Sequence, residues 1–361
     1  MDQNVKEYKC PCCSGAIEFD TSLQKMKCPY CDTEFEIGTL ENFAADLETE
    51  AEDSMEWDTE SQEWSDGEAD NLVTYICKSC AGEIIADENT AASFCPYCGN
   101  PVVMSGKLSG GMKPDLVIPF KLDKEAAVAA LSKHLSGKRL LPDAFKDQNH
   151  LDEVKGIYVP FWLYDAEADA TIRYRGRKVR MWADRNYTYT ETSFYSLVRQ
   201  GTMSFDHVPV DGSSSISNDL TESIEPYDYS EAVDFTTAYL SGFFADKYDV
   251  SSEDCMPRAN ERIRNSTVNT FAQSTAAYSM VTTEHSSVQL NNGKTQYALL
   301  PVWVLNTTWN GQNYLFAMNG QTGKFVGNLP MDKGKYNKWF WGLLTGISAA
   351  VIGLSYLIHL L

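Results

Sequence analysis

The most one-sided stretch of the chain lies at its end. Residues 339–361, WFWGLLTGISAAVIGLSYLIHLL, hold no Asp, Glu, Lys or Arg in 23 positions. Apolar residues fall on every face of a helix drawn through them. At about 1.5 Å per residue such a helix is roughly 34 Å long, enough to cross the hydrocarbon layer of a bilayer. Trp339 and Trp341 stand at its start, where indoles favour the interface, and Lys333, Lys335 and Lys338 just precede it. The pattern predicts a single transmembrane helix with the N-terminal bulk of the chain in the cytoplasm. A buried C-terminal core helix is the alternative.

Upstream, 113–330 reads as a globular α+β domain. Asp123 to Ser136, DKEAAVAALSKHLS, is rich in helix formers, begins on a capping Asp and ends before Gly137. Residues 157–164, IYVPFWLY, form a dense strand-like run, and 170–205 alternate polar and apolar positions as antiparallel strands do. Helical patterns follow near 230–247 and 257–276. Strand patterns return at 297–305 and 314–327, the latter broken by the Asn319-Gly320 turn signal. Two echoes suggest duplication: HLSGK at 134–138 with YLSGF at 239–243, and VPFW at 159–162 with LPVW at 300–303. Their unequal offsets imply an insertion of 36 residues in the second half.

A second repeat is sharper. Cys10, Cys13, Cys28 and Cys31 map onto Cys77, Cys80, Cys95 and Cys98 at an offset of 67, and Gly15, Ile17, Asp20, Pro29 and Tyr30 map with them. Each copy has the spacing C-x2-C-x14-C-x2-C. Two such knuckles present four thiolates tetrahedrally, which suits Zn2+. Four thiolates leave no position for water, so the sites read as structural. A redox pair or an iron-sulfur cluster is the alternative, but no thioredoxin-like pattern surrounds the motif. Cys12 and Cys255 read as bystander thiols, although Cys12 stands close enough to exchange with Cys13. The first residues do not read as a signal peptide, which favours a reducing compartment over disulfides.

Between the two copies lies 39–71, with 13 acidic residues and no basic ones, which accounts for most of the net charge of -20. Such a run is expected to stay disordered. Trp57 and Trp64 interrupt it, each preceded by Glu, as in a short acidic-aromatic docking motif. The counterpart is RYRGRKVR at 173–180, where Arg173, Arg175 and Arg177 share one strand face near Arg185. That stripe reads as a solvated face or as a grip for anionic lipid, for an acidic partner or for the acidic segment itself.

The domains so delimited are 1–38 zinc ribbon 1, 39–71 acidic linker, 72–104 zinc ribbon 2, 113–330 α+β domain and 339–361 membrane helix. The fold class is multidomain: two small β zinc ribbons, an α+β domain with antiparallel sheets and an internal duplication, and one C-terminal transmembrane helix. The five histidines form no metal or triad motif, and no phosphate-binding glycine loop is present, so no enzyme is expected.

CPCC with CPYC, CKSC with CPYCG, then IPFKLDKEAAVAAL, YVPFWLYDA and the apolar tail together resemble a bacterial family of membrane-anchored TFIIB-type zinc-ribbon proteins. Members often carry a name taken from the primosomal replication helicase, whose motor motifs this chain lacks. The resemblance implies encoding beside phage-shock-protein-A-like and SPFH-like or virion-core-like proteins, and a role in placing the coiled-coil protein at the membrane in envelope stress. The function expected is thus a non-enzymatic, tail-anchored adaptor. The alternative is a nucleic-acid-binding protein of replication or transcription. Charge separates them: Lys25 and Lys27 face five acids in 10–37, and Lys78 faces three in 77–98, too few cations to track phosphates.

Overall fold

The computed structural model describes residues 9–13, 15–38, 40, 53–59, 62–88, 90, 94–108, 111–146 and 154–360. In chain order the strands are β1 (Glu18–Asp20), β2 (Lys25–Lys27), β3 (Glu34–Phe35), β4 (Ser54–Thr59), β5 (Leu72–Cys77), β6 (Glu83–Asp87), β7 (Val102–Lys107), β8 (Leu116–Val117), β9 (Val154–Ala183), β10 (Thr188–Asp211), β11 (Val233–Asp234), β12 (Phe244–Asp246), β13 (Met280–Trp309), β14 (Gln312–Asn319) and β15 (Phe325–Gly327). The helices are α1 (Lys124–Leu135), α2 (Asp143–Lys146), α3 (Asn218–Ser223), α4 (Ser252–Gln273) and α5 (Lys333–Leu360). The chain forms two compact units: Met1–Asp58 with Tyr164–Val208 and Met256–Thr295, and Thr59–Leu163 with Pro209–Cys255 and Gln296–Leu361.

In the first unit β1, β2 and β3 form an antiparallel sheet of their own. The Asp20 carboxylate holds its first turn by accepting the amides of Ser22 and Leu23. The core gathers Ala166, Ala168 and Ala170 of β9 with Ile263 of α4 and Val288 and Leu290 of β13. Small side chains at alternate positions leave room above them, and β4 fills it.

β4 lies inside the acidic segment and overturns the expectation that all of 39–71 is disordered. Its side chains alternate, with Met55 and Trp57 packed on the alanine cluster and Ser54, Glu56 and Asp58 outward. Trp57 meets Tyr164 edge-on at 5.0 Å and donates to Asn260 Oδ1 at 2.8 Å. Asp53 pairs with Arg264 at 3.1 Å and accepts the Val288 amide. Two apolar residues in period two, paired along β13, outweigh the surrounding charge. Residues 39, 41–52, 60 and 61 lie outside the described part. Gly293 permits the docking, since a Cβ there would stand 2.9 Å from Trp57 Cε3. A Gly293→Val protein is therefore expected to release β4. Burying Met55 and Trp57 is worth about 3 kcal/mol, so amide exchange across 54–59 should accelerate on the order of 100-fold. Unchanged exchange would show that Gly293 is not the constraint.

The second unit is built on the sheet path β11-β8-β13-β9-β12-β6-β5-β7. Most pairs are antiparallel, while β8 runs parallel to β13 (Leu116 opposite Ala298) and β12 parallel to β9 (Phe244 opposite Ile157). One core holds Ile157, Val159, Phe161 and Leu163 of β9 against Ala298, Leu300, Val302 and Val304 of β13. A second packs Ala127, Leu131 and Leu135 of α1 on Trp303, Leu305 and Phe316. The α1 boundaries match the sequence signal, with Asp123 Oδ1 accepting the Ala126 amide at 2.8 Å.

The helix expected near 230–247 does not form. Two short 3-10 helices, Tyr229–Glu231 and Thr237–Leu240, alternate there with β11 and β12. Val233 and Asp234 pair with β8, Ala245 and Asp246 pair with β6, and Gly242 turns the chain at φ +82. Strand partners distant in sequence override a weak helical pattern. HLSGK ends an α-helix and YLSGF a 3-10 helix, yet both end alike, with Leu135 and Leu240 as last helical residues, Ser136 and Ser241 extended, and Gly137 and Gly242 left-handed at φ 71 and 82. The tryptophan echo is matched as well. Trp162 Nε1 donates to the Val250 carbonyl at 2.9 Å, and Trp303 Nε1 to the Leu122 carbonyl at 3.0 Å. Each carbonyl directly precedes a capping residue, Ser251 before α4 and Asp123 before α1.

α5 starts at Lys333, six residues before the apolar run, because the Asp332 carboxylate accepts the amides of Gly334 and Lys335. Lys335 pairs with Asp143 at 2.6 Å, and Arg139 lies 4.8 Å over the Trp339 ring. Beyond that point Leu343, Ile347, Val351, Ile352 and Leu354 are exposed. The stretch Lys333–Tyr356 is long and apolar enough to span a membrane, and none of it is buried against the protein.

Candidate metal centres

Each Cys-x-x-Cys is a tight backbone loop. The Cys28 amide donates to the Thr33 carbonyl, and the Asp32 amide returns to the Cys28 carbonyl. Cys77 with Ala81 and Gly82, and Cys95 with Gly99 and Asn100, repeat the pattern. The residue four past each of these cysteines is left-handed, with φ 56 at Asp32, 61 at Ala81 and 70 at Gly99. This geometry turns the sulfurs of one loop toward those of the other.

The result is two groups of four. Sγ atoms of Cys10 and Cys31 are 3.6 Å apart, those of Cys13 and Cys28 3.5 Å, Cys77 and Cys98 3.4 Å, and Cys80 and Cys95 3.6 Å. Within each group all four sulfurs lie within 4.8 Å of one another. A tetrahedral ion with sulfur at about 2.3 Å needs sulfurs about 3.8 Å apart, so the residues fit a metal ion. The spacing is far above a disulfide bond. Both groups share one burial order, with the first and third cysteines buried. Cys12 stands outside the group; its amide donates to Cys10 Sγ and its carbonyl accepts from Arg175. Cys255 is remote, near the start of α4, its thiol donating to the Asp211 carbonyl.

Burial pushes the Cys10 and Cys95 thiols well up, against the amides of Cys12 and Cys13 in one case and of Cys98 and Tyr97 in the other. Burial also raises Cys31 and Cys98, but it is outweighed by Thr33 at the first and Asn100 at the second, and each settles at about 7. Each site thus combines a sulfur ready to be a thiolate at neutrality with deeper sulfurs that need a cation to ionise.

The two centres differ in setting. Tyr30 of the first CPYC is 74% exposed and lies over Gly15, whereas Tyr97 of the second is 6% exposed. Cys77, Cys95 and Tyr97 belong to the main core of the second unit. β6 pairs with β12, and the Tyr97 carbonyl accepts from Asn306. Sequence reasoning missed this seat and the buried carboxylate beside it, for which no local motif exists.

That carboxylate is Asp246, which accepts from the Ser213 hydroxyl and faces the Tyr97 phenol. Burial first, then Asp211 and Asp249, raise it from 3.8 to about 7, against the bond from Ser213 and the nearby Tyr97 phenol. The folded state therefore holds a proton that the unfolded chain releases between pH 4 and 7. Stability should fall as pH rises through that window, by on the order of 4 kcal/mol, and level off above it. Asp246→Asn is expected to flatten this part of the urea-midpoint profile and to be the more stable protein at pH 8. An unaltered profile would place the proton elsewhere.

The basic stripe expected at Arg173, Arg175 and Arg177 is not an open surface. Arg173 is buried, Arg175 pairs with Glu284 at 2.5 Å, and Arg177 lies against Met280. The described acidic segment docks elsewhere: Asp53 on Arg264 in the first unit, and Glu68 on Lys113 at 2.8 Å in the second.

No protein-family model matches the chain, and no solved structure matches it. A Bacillus subtilis (strain 168) protein described as the uncharacterised protein YdjG is 34% identical over 250 residues, which is 69% of this chain and 73% of that protein. With that identity over most of both chains, the chain belongs to the same family as YdjG.

Proposed function

We propose that the protein is a non-enzymatic, tail-anchored adaptor whose two ribbons hold Zn2+ and present a protein-binding surface on the cytoplasmic side of a membrane. The observation that carries the reading is the pairing of two closed four-cysteine sites with an exposed apolar C-terminal helix. Zinc held by four thiolates supplies cross-linking energy and leaves no position for a substrate. The lysines at the start of α5 favour a cytoplasmic N-terminal side. Ribbon 1 offers the contact surface, since Phe19, Leu23, Tyr30 and Ile37 are exposed on a small module that the metal would make rigid. Its excess of acids disfavours nucleic acid. The resemblance to TFIIB-type zinc-ribbon membrane proteins points to a phage-shock-protein-A-like or SPFH-like partner. We also read the β8–α1–β9 and β12–α4–β13 segments as a duplication, supported by the matching Trp162 and Trp303 bonds.

The test is affinity purification of the full-length protein from cross-linked membranes, with and without nuclease. A Phe19→Ala/Tyr30→Ala/Ile37→Ala protein, which keeps every cysteine, serves as the comparison. A protein partner that survives nuclease and is lost from this variant supports the adaptor. Recovery of nucleic acid without a stable protein partner overturns it.

A further inference from the structure

We propose that the tip of the β9–β10 ribbon, residues 177–198, is a second membrane contact that seats in an anionic lipid interface. The inference rests on the membrane anchor of the preceding reading.

Every side chain from Lys178 to Thr192 is exposed, so the ribbon carries no core of its own. Its turn is nonetheless firmly made. The Asp184 amide donates to the Tyr187 carbonyl, and the Asp184 carboxylate accepts the amides of Asn186 and Tyr187 and the Tyr189 hydroxyl. One face is aromatic and cationic. Trp182 stacks on Tyr189 at 5.5 Å and 12°, and Tyr187 follows at 6.4 Å from Tyr189. Arg180 stands 5.4 Å over Trp182, and Lys178 stands 5.0 Å over Tyr278 and 5.6 Å over Tyr195. The other parity places Val179 and Met181 side by side, both exposed.

Large apolar side chains cluster exposed on this one ribbon, at 67% for Met181 and Tyr187 and 45% for Trp182. Within 177–198 four cations, Arg177, Lys178, Arg180 and Arg185, meet two acids, Asp184 and Glu191, in a chain whose net charge is -20. Tryptophan and tyrosine beside arginine and lysine match the headgroup layer, where rings sit half-wet and cations meet lipid phosphates. Methionine and valine on the reverse face suit the adjoining acyl region. Single-stranded nucleic acid would use the same rings and cations but would leave those two residues in water. An anionic bilayer accounts for both faces.

The experiment uses the full-length protein with Tyr187 replaced by the photo-cross-linking residue p-benzoylphenylalanine. It is reconstituted in phosphatidylcholine vesicles with or without phosphatidylglycerol, irradiated, and read by mass spectrometry of the peptide carrying position 187. Lipid adducts are expected, enriched at least about tenfold by phosphatidylglycerol and lost to a similar degree in a Lys178→Glu/Arg180→Glu version. No lipid adduct, adducts indifferent to phosphatidylglycerol, or irradiation in cells giving nucleic-acid or protein adducts in place of lipid would each overturn the proposal. Alkaline extraction of the same vesicles reports on α5 separately. Release by alkali would remove the anchor reading, while the tip stands or falls on the adduct, because the protein meets the same lipid in either case.

Discussion

Replacing Cys95 with serine is expected to unfold the second unit, whereas replacing Cys28 is expected to cost ribbon 1 alone. The two motifs have identical spacing, and both cysteines are buried. What differs is what they are buried against. Cys95 belongs to the core that also holds Ile157, Phe161, Leu300 and Val302, and ribbon 2 joins the larger sheet through β6 and β12. Ribbon 1 closes a sheet of three short strands, with no other strand bound to it among the described residues. Structural zinc contributes about 10–16 kcal/mol in isolated modules, more than the whole stability of most domains. Losing the second centre should therefore remove several kcal/mol from the second unit. The check is hydrogen exchange of 157–163 and 298–304 under mild urea. Strong acceleration is expected for Cys95→Ser and little for Cys28→Ser, which should instead expose 18–27. Equal behaviour of the two proteins would mean that ribbon 2 is only resting on the core.

Removing 333–361 is expected to transfer the protein from alkali-resistant membranes to the soluble fraction and to leave the second unit folded. The apolar part of α5 contributes no buried surface to the protein. The truncation breaks the Lys335–Asp143 pair and the stacking of Arg139 on Trp339, each worth about 1 kcal/mol or less at an exposed site. A gentler version is Ile347→Arg, which puts a charge in mid-span and should cost about 3 kcal/mol of insertion, visible as partial release. Retention of the truncated protein in alkali-washed membranes would show that another segment holds it there.

The readable parts of the chain were those whose physics is local. A cysteine spacing specifies a ligand set because two short loops suffice to aim four sulfurs. A capping Asp before a run of helix formers specifies α1, since the bond from Ala126 to Asp123 spans three residues. The apolar tail announces itself by composition. The β4 strand was legible in principle, in the alternation of Met55 and Trp57, but the mean charge of the segment hid it. The expected helix near 230–247 failed where its residues found strand partners more than a hundred positions away, at Val117 and Ile85.

The paired tyrosines show the division most plainly. Sequence by itself determined that Tyr30 and Tyr97 occupy one position in two copies of one metal module, and that a membrane-length helix ends the chain. Only the tertiary structure decided that Tyr97 is buried beside Asp246 while Tyr30 faces solvent, and that Arg173 and Arg175 are engaged while Lys178 and Arg180 are open. The reason is that metal geometry and helix length are properties of residues close in sequence. Burial is set by which distant strand arrives on a given edge, and two identical modules can meet different neighbours.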